Sequence, residues 1–424
     1  MVYKGEKQYH IQNMHKRYDI KDDEIILDGN VYDLKGFSNV HAGGKQALNI
    51  FGGSDATVHY YMLHPHITLR KNVLKPYRLR KATITDNRYI LNSCQFQELK
   101  KQINDVIKYP YATLEWYIKA IVIIIIEISL ECHSIWFGFT LMKSTCIGIF
   151  MALIGLCIQH DANHGAISPN CSINMLWGLT QDWIGGSSLL WKHHHVLMHH
   201  AYTNMNDSDP DATTDIIRLH SATELKYWHK WQGIYTWFLL PLLPISWHFK
   251  EIWDLWSMRH MGRNISDMAY TEARIGIVMR LLFLIRFYVV PLYIYPSLYT
   301  MGCILFGLIV GGAYLGFNFI ISHNFEGVKH TNIGYTERDW CRTQVETSST
   351  VGGRMLGYLH GGLNYQIEHH LFPRICHVHY YKMKPIIQLW AQQNGISYKY
   401  FRTLPENIKS CYQYLVSMGN PFMV

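Results

Sequence analysis

Gln366-Ile367-Glu368-His369-His370 is the most informative stretch of this 424-residue chain, and it shares its character with two earlier histidine clusters. Those clusters are His160-Asp161-Ala162-Asn163-His164 and His195-Val196-Leu197-Met198-His199-His200. Because residues three and four apart share one face of an α-helix, each cluster directs its imidazoles to one side. Three such faces meeting at one place offer seven imidazoles and one amide. Zinc usually takes four ligands, so this set is better suited to two metal ions and to iron and oxygen chemistry.

Long apolar segments accompany the clusters and predict a membrane domain. A span needs about 20 apolar residues. Four stretches approach that length: residues 118–135, 137–158, 277–296 and 298–321. The shorter stretch 231–247 contains Pro241 and Pro244 and is rich in tryptophan, which favours the membrane interface, so it is predicted to be interfacial. An even number of spans then separates the second and third clusters and keeps them on one side. Arg280 is predicted to snorkel toward the headgroups, and Arg286 to face protein or a polar cavity.

The three clusters in this order resemble those of the membrane fatty-acid desaturases. Gln366, within Gly361-Gly362-Leu363-Asn364-Tyr365-Gln366-Ile367-Glu368-His369-His370-Leu371-Phe372-Pro373, takes the place of a first histidine, as in the front-end subgroup. The resemblance spans most of the chain. It implies an all-α integral membrane desaturase domain over residues 111–424, with four transmembrane helices and additional interfacial helices. His323, just after the fourth span, is the implied additional histidine, with His360 as its rival.

Under this resemblance, two non-haem iron ions are bound by nine side chains: His160, His164, His195, His199, His200, His323, Gln366, His369 and His370.

Residues 1–75 are predicted to form a small α+β domain. Two short apolar runs within residues 25–34 flank Asp28-Gly29-Asn30, which predicts a hairpin. His41-Ala42-Gly43-Gly44, Asp55-Ala56-Thr57 and His64 follow, and together they resemble a cytochrome-b5-like domain, with Ala42 where that family has proline. The resemblance implies haem b bound by His41 and His64, an arrangement that leaves no open coordination site. His59 and His66 are rivals for the second ligand.

The sequence also predicts the surroundings of the histidine clusters and of the first span. Residues 76–110 are predicted to form a linker and an amphipathic lead-in to the first span. His193 and His194 are predicted to be surface neighbours rather than ligands. Asp207, Asp209 and Asp211 are predicted to form a solvated loop at the mouth of the site, with a carboxylate metal site as the alternative. After Pro373 the chain is predicted to be soluble, with His377 and His379 on an amphipathic helix.

Composition narrows the choice of partners and compartment. Net charge is +8 with dispersed basic residues, which argues against nucleic acid and favours an anionic leaflet of a lipid bilayer. Nine cysteines without a CxxC pair predict reduced thiols rather than a disulfide framework. Residues 1–20 are polar, so no signal peptide is predicted. We therefore expect a multi-pass protein of the endoplasmic reticulum membrane, with both termini and the histidine clusters cytosolic.

The implied reaction is removal of two hydrogens from unactivated methylenes, which requires a metal–oxygen oxidant derived from O₂. The resemblance implies a polyunsaturated acyl-CoA or phospholipid acyl substrate and a new cis double bond toward the carboxyl end. It also implies electrons from the fused haem domain, itself reduced by a membrane NADH-dependent cytochrome b5 reductase. The amino-acid sequence of the first cluster favours delta-5, and leaves delta-4, delta-6 and delta-8 open.

Three other functions compete with this one. A sphingolipid long-chain-base desaturase shares the same architecture. A non-catalytic membrane haem electron carrier would need His41 and His64 but not three histidine clusters. A haem-fused fatty-acid hydroxylase also uses histidine clusters, but the stretch from Gln366 to His370 is not its pattern.

Overall fold

The computed structural model describes residues 18–41, 43–64, 71–86, 88–91, 93–206, 208–330 and 338–420. Its strands are β1 Glu24–Leu27, β2 Asn30–Asp33, β3 Ser54–Asp55, β4 Arg78–Lys81, β5 Tyr89–Ile90, β6 Arg259–His260, β7 Arg263–Asn264, β8 Arg338–Asp339, β9 Ser349–Val351 and β10 Lys399–Phe401. Its α-helices are α1 Leu34–Ser38, α2 Thr57–Leu63, α3 Lys71–Leu74, α4 Cys94–Val106, α5 Leu114–Phe137, α6 Leu141–Ile154, α7 His160–Asn163, α8 Cys171–Gly178, α9 Thr180–Trp183, α10 Ser188–Trp191, α11 Gln232–Leu239, α12 Leu243–Ser257, α13 Tyr270–Leu284, α14 Val290–Ile294, α15 Leu298–His323, α16 Trp340–Glu346, α17 Arg354–Leu359, α18 Gln366–Leu371, α19 Tyr380–Gln393 and α20 Leu404–Met418. Short 3₁₀ helices cover Lys45–Ala47, Asn49–Phe51, Lys75–Tyr77, Tyr227–Trp231, Leu240–Leu242, Asp267–Ala269 and His377–His379.

The N-terminal region is built on the predicted hairpin. β1 and β2 pair antiparallel, with Leu27 opposite Asn30. The two loop residues Asp28 and Gly29 have φ values of 46° and 72°, the positive angles that a tight two-residue hairpin turn requires. The sheet order is β3-β1-β2-β4. β4, at residues 78–81, therefore completes this sheet although it follows residue 75.

Four of the described helices are long and apolar enough to cross a membrane: Leu114–Phe137, Leu141–Asn163, Asp267–Ile294 and Leu298–His323. They correspond to the four predicted spans and are called the first to fourth spans below. The second and fourth spans approach closely at Gly148, where an added Cβ would lie 2.1 Å from the Gly307 carbonyl oxygen. Small residues at this crossing let the two backbones touch.

The stretch 231–247 does not form a fifth long helix. α11 ends at Leu239, a 3₁₀ turn covers Leu240–Leu242, and α12 begins at Leu243. Pro241 and Pro244 lie at this break. Proline lacks the backbone N–H that a continuous helix needs, and it is tolerated in the first turn of a new helix. The stretch is accordingly not among the four long apolar helices. Its location at the membrane interface stays a prediction.

The two arginines of the third span that received predictions are paired inside the protein. Arg280 is fully buried and forms an ion pair with Glu251, so the prediction that it snorkels to the headgroups is wrong. Arg286 pairs with Glu131, and its guanidinium carbon lies 3.6 Å from the centroid of the Trp183 ring. Arg286 therefore faces protein, one of the two predicted locations. Pairing of this kind offsets the cost of placing charge within a membrane.

The N-terminal region shares a hydrophobic core with the helical region. Phe51 belongs to one buried cluster with Leu189, Leu190 and Leu255. His59 contributes a hydrogen bond, its Nε2 lying 2.8 Å from the carbonyl oxygen of Leu197.

α4, in the predicted lead-in, is amphipathic and buries Phe96, Leu99 and Ile103, which belong to the same apolar cluster as Ile387 of α19. The same cluster contains Val58 and Met62 of α2, so the N-terminal region packs against the helical region along a second surface.

Candidate metal centre and haem site

The first two histidine clusters lie on or next to π-helical segments rather than on regular α-helices. The second span passes through a π-helical segment, Gly155–Gln159, directly before His160. The second cluster lies on the π-helix Lys192–His199. In such a helix residues five apart align, and the Nε2 atoms of His195 and His200 are 3.1 Å apart. The third cluster follows a loop in which Gly361 and Gly362 take positive φ values of 61° and 78° before α18 begins.

The histidines separate into two groups that lie beside each other. One ligand atom of each residue lies within 4.8 Å of the others in the group His160, His164, His195 and His369, and likewise in the group His199, His323 and His370. We call these the first and second histidine groups. Both groups are buried. The α-helical spacing of the second cluster predicts that His195 and His199 act together. The structure instead divides them between the two groups.

His200 lies between the two groups. Its ring stacks on that of His370 with centroids 4.1 Å apart, and it lies 4.7 Å from the His164 ring. Gln366 adjoins the second group, with Nε2 3.0 Å from His323 Nε2 and 3.3 Å from His370 Nε2. All nine predicted side chains are thus brought together.

A second layer of polar groups fixes the orientation of four rings through Nδ1. The Nδ1 atom of His199 contacts Asp209 at 3.1 Å, and that of His369 contacts the Tyr380 hydroxyl at 2.9 Å. The other two partners are Gln344 Oε1, 2.9 Å from His370, and the Thr347 carbonyl oxygen, 3.0 Å from His323. Such outer contacts set the tautomer of a metal-binding imidazole and leave Nε2 for the metal.

The electrostatic surroundings favour neutral rings at most of these positions. Burial, followed by the neighbouring histidines, holds the pKa of His164, His195, His200, His369 and His370 well below the usual range. A neutral imidazole is the form that binds a metal.

His199 differs because it faces a carboxylate. Burial lowers its pKa, but the charge of Asp209 more than offsets this effect and raises the pKa to about 9. A bound cation would therefore have to displace a proton from His199, and Asp209 would then stabilise the positive charge of the metal.

The residues fit a metal-binding role by a further criterion. Buried polar atoms are normally hydrogen-bonded, and exceptions require an explanation. Both ring nitrogens of His160 and His164, Nε2 of His369 and Oε1 of Gln366 are buried and have no hydrogen-bond partner among the described residues. Metal ions bound to the two groups would satisfy one nitrogen of each of these rings and the Gln366 oxygen, and imidazole-rich sites suit iron.

The acidic loop is not the solvated cap that the sequence predicts. Asp209 is fully buried against His199, and Asp211 contacts both His199 and His194 while remaining half-exposed. Asp207 lies outside the described residues. Carboxylates here support the histidines, because a buried imidazole needs an acceptor for its second nitrogen.

Three predictions about other histidines are also corrected or refined. His193 is buried rather than on the surface, with Nε2 3.3 Å from the Asn264 carbonyl oxygen. His377 lies in a buried 3₁₀ turn instead of on an amphipathic helix, and its Nδ1 is 2.5 Å from Asp161 of the first cluster. His360 pairs with Asn318 and belongs to neither histidine group.

His41 and His64 come together in the N-terminal region, with ring centroids 6.2 Å apart. Each points Nδ1 toward a backbone carbonyl, of Gly44 at 3.3 Å and of Tyr60 at 3.0 Å, which leaves Nε2 of both rings for a metal. Burial lowers the pKa of His41, and it lowers that of His64 to about 4. The pair fits axial ligation of haem iron. The rival His59 is engaged elsewhere, and His66 lies outside the described residues.

Arg374 connects this pair to the histidine groups. Its Nη1 donates to the Leu63 carbonyl oxygen at 3.5 Å, directly before His64. A Cβ placed on Gly165, directly after His164, would lie 3.6 Å from Arg374 Nε. Arg374 therefore lies between the candidate haem ligands and the first histidine group, and sequence spacing gives no sign of this role.

A largely apolar cavity borders the first histidine group from within the membrane domain. Its wall includes Met151, Leu308 and Phe319 of the second and fourth spans, together with Gln159 and Trp191. The Trp191 ring lies 4.4 Å from the His195 ring between centroids. The cavity thus approaches the histidines from the side of the spans.

Comparison with known proteins agrees with this architecture. The model of the fatty acid desaturase family matches residues 134–402, and that of the cytochrome b5-like heme/steroid binding domain matches residues 12–83. The acyl-lipid (7-3)-desaturase of Rebecca salina is 37% identical over 95% of this chain and 92% of its own length. The protein of the same description from Diacronema lutheri is 35% identical, again over 95% and 92%.

A more distant relative is the Delta(5) fatty acid desaturase A of Dictyostelium discoideum, which is 26% identical over 98% of this chain and 94% of its own length. The family match, the relatives aligned along nearly the whole chain and the paired histidine groups lead to one conclusion: this protein belongs to the fatty acid desaturase family, in the front-end branch with a fused N-terminal cytochrome b5-like domain.

Proposed function

We propose that the protein inserts a cis double bond toward the carboxyl end of a polyunsaturated acyl chain carried on a lipid. The observation that supports this most strongly is the convergence of the nine predicted side chains: seven form the two adjacent groups, and His200 and Gln366 adjoin them, all beside an apolar cavity. Long apolar chains need such a cavity, and the reacting carbons must be held next to the oxidant.

The metal-binding roles are divided between the two groups. We assign one iron to His160, His164, His195 and His369, and the second to His199, His323, His370 and Gln366, with His200 between them. When bound, the irons and O₂ supply an oxidant that takes two hydrogens from adjacent methylenes, while two electrons and two protons complete the reduction of O₂ to water. The protein side chains orient the ligands, exclude bulk water and hold the acyl chain in place.

We assign the electron supply to the N-terminal domain, with haem b bound by His41 and His64. The docking of this domain through Phe51 and His59, and the position of Arg374 between His64 and Gly165, support this assignment. A tethered donor stays at a high effective concentration near its acceptor. A membrane NADH-dependent cytochrome b5 reductase is the proposed source of electrons for this domain.

Two positions of the new double bond are supported by different observations. The relatives of 35–37% identity are named (7-3)-desaturases, whereas those named Delta(5) are 26–27% identical. The amino-acid sequence of the first cluster favours delta-5 instead. We place (7-3) first because the identity is higher over a comparable share of the chain, and delta-5 second.

Expression in a host that lacks such acids tests this proposal. Cells are fed several polyunsaturated acids one at a time, and the product double bond is located by gas chromatography with mass spectrometry. One dominant product of (7-3) or delta-5 type is expected. Products with a new double bond on the methyl side of the existing ones, or hydroxylated chains, would contradict front-end desaturation.

We also propose that the protein resides in the endoplasmic reticulum membrane, with the histidine groups and both termini cytosolic. Cys94 is exposed and precedes the first span, so an impermeant thiol reagent should label it from the cytosolic side of sealed microsomes. A cysteine introduced by Phe137→Cys, at the exposed far end of that span, should be labelled only after the membrane is opened. The reverse pattern would contradict this orientation.

A further inference from the structure

A second pocket lies at the membrane boundary, on the same side as the histidine groups. It is lined by Glu115 and Lys119 of the first span, Arg354 and Tyr358 of α17, and His377 and Tyr381. The indole nitrogen of Trp116 donates to Asp161 at 2.9 Å, which places the start of the first span beside the first cluster. The pocket floor includes His377, which contacts Asp161 directly. Two residues of the pocket lining, Trp116 and His377, therefore contact Asp161, the neighbour of His160 in the chain.

The surroundings of this pocket are those of a lipid interface. Around its opening, the first turns of the first span and the face of α17 carry exposed apolar side chains, namely Leu114, Ile118, Met355, Tyr358 and Leu359. Lys119 lies in the second turn of the span, and its ammonium group contacts the Tyr358 carbonyl oxygen and lies 4.3 Å from the centre of that ring. Lysines close to a span end characteristically reach the headgroup layer in this way.

The charged groups of the pocket suit a phosphate. Lys119 is half-buried and Arg354 is exposed, and both line the same opening. Lysine and arginine are the usual binding groups for phosphate oxygens. Arg354 is held by the Tyr381 ring, 4.6 Å from its guanidinium carbon, a contact that leaves guanidinium N–H donors available at the ring edge.

Glu115 and the aromatic rings distinguish between carriers of that phosphate. A carboxylate beside the two cations disfavours the several phosphates of coenzyme A by repulsion. It suits the ammonium group of a zwitterionic lipid, which the Tyr358 and Tyr381 rings would also attract.

Resting on the proposed function, we infer that this pocket binds the headgroup of a zwitterionic phospholipid whose acyl chain is the substrate. Arg354 and Lys119 bind its phosphate, and Glu115 faces its ammonium group. The headgroup would then be held on one side of the histidines and the apolar cavity would lie on another. The distance from the carboxyl end to the reacting carbons is thereby fixed by the protein.

The experiment compares three carriers of one acyl chain with the full-length enzyme in nanodiscs: phosphatidylcholine, the coenzyme A thioester and phosphate-free diacylglycerol. Arg354→Glu is the test variant, and Arg259→Glu, an exposed arginine outside the pocket lining, is the matched control. For phosphatidylcholine we expect KM to rise about 10-fold or more, the size of one charge-assisted hydrogen bond, with kcat nearly unchanged. Diacylglycerol kinetics and the control variant should not change.

Two kinetic results would overturn the inference. If the coenzyme A thioester alone loses affinity, the phosphates of that carrier are the ligand. If no carrier is affected, or if kcat falls equally for all three, the pocket binds no headgroup.

Binding of a fluorescent phosphatidylcholine separates this inference from the proposed function because it needs no turnover. A Kd that rises about 10-fold in Arg354→Glu but not in Arg259→Glu supports the pocket even if wild-type enzyme desaturates none of the carriers. An unchanged Kd, in an enzyme that turns over all three, overturns the pocket and leaves desaturation intact.

Discussion

Gln366 is the amide among the nine side chains of the proposed metal centre, and its contacts indicate the role that we propose for it. Its Nε2 lies near His323 and His370, and its Oε1 is buried without a hydrogen-bond partner among the described residues. That oxygen can serve the second iron directly or through a water molecule. A neutral amide is a weaker metal ligand than imidazole, so we propose that Gln366 makes the second iron site differ in ligand strength from the first.

Two substitutions of Gln366 test this role. Gln366→His should retain partial activity, because an imidazole at the same position of α18 reaches the same metal. Gln366→Ala should lose about 10- to 100-fold or more, the loss typical of a removed outer contact of a metal site. Product formation by gas chromatography is the measurement, with iron content checked in each variant. Full activity of Gln366→Ala would show that Gln366 neither binds the metal nor positions a ligand.

At the residue level, sequence spacing identifies the histidines that the structure brings together, but not the polar groups that orient their rings. The nine predicted side chains come from short, dense clusters and from the end of an apolar span. Asp209, Gln344 and Tyr380 come from separate segments and carry no recognisable spacing relative to the rings they contact. Only the acidic loop gave a signal for Asp209, and the loop was predicted to be solvated because local sequence does not reveal burial.

Among the elements, the π-helices account for the main departure from the predicted site geometry. The α-helical period predicts that His195 and His199 act together, whereas the Lys192–His199 segment aligns His195 with His200. Single π-turns arise where tertiary packing accommodates an extra residue, often at functional sites, and propensity does not encode them. The four spans were predictable because each is a long apolar run, with bounds shifted by several residues at most at seven of their eight ends and by ten at the start of the third.

Two separate elements position the proposed haem ligands: the loop after α1 carries His41, and the end of α2 carries His64. We expect His41→Ala and His64→Ala, each in the full-length protein, to abolish the low-spin bis-histidine absorption spectrum. Loss of one axial imidazole opens a coordination site on the iron. His59→Ala should keep the spectrum, because its ring faces Leu197 instead. A low-spin spectrum that survives in His64→Ala and disappears in His66→Ala would contradict the assignment.

For the whole molecule, docking of the two regions couples stability to pH through His59. Burial lowers the pKa of His59 to about 4, against an ordinary value of 6.5. Between these values the unfolded chain binds a proton that the folded chain does not, so this contribution to stability is present above pH 6.5 and is lost as pH falls toward 4. The shift corresponds to roughly 3 kcal/mol at most.

A His59→Gln variant isolates this effect from the other histidines. Chemical unfolding is followed by haem absorbance between pH 7 and pH 4.5, and the difference in free energy of unfolding between wild type and variant is compared across pH. The variant should be less stable at pH 7, and the difference should shrink toward pH 4.5. A difference that is constant with pH would show that His59 does not remain neutral in the folded protein.

The assembled molecule combines a candidate haem-binding pair, two histidine groups and an apolar cavity, and we propose that it holds one haem and two further irons. Iron analysis of the purified full-length protein, combined with haem quantitation by the pyridine haemochromogen method, tests this claim most directly. We predict three iron atoms per chain, one of them in haem, and loss of non-haem iron in His369→Ala with the haem retained. A wild-type protein whose iron is accounted for entirely by haem would contradict the account and indicate an electron carrier.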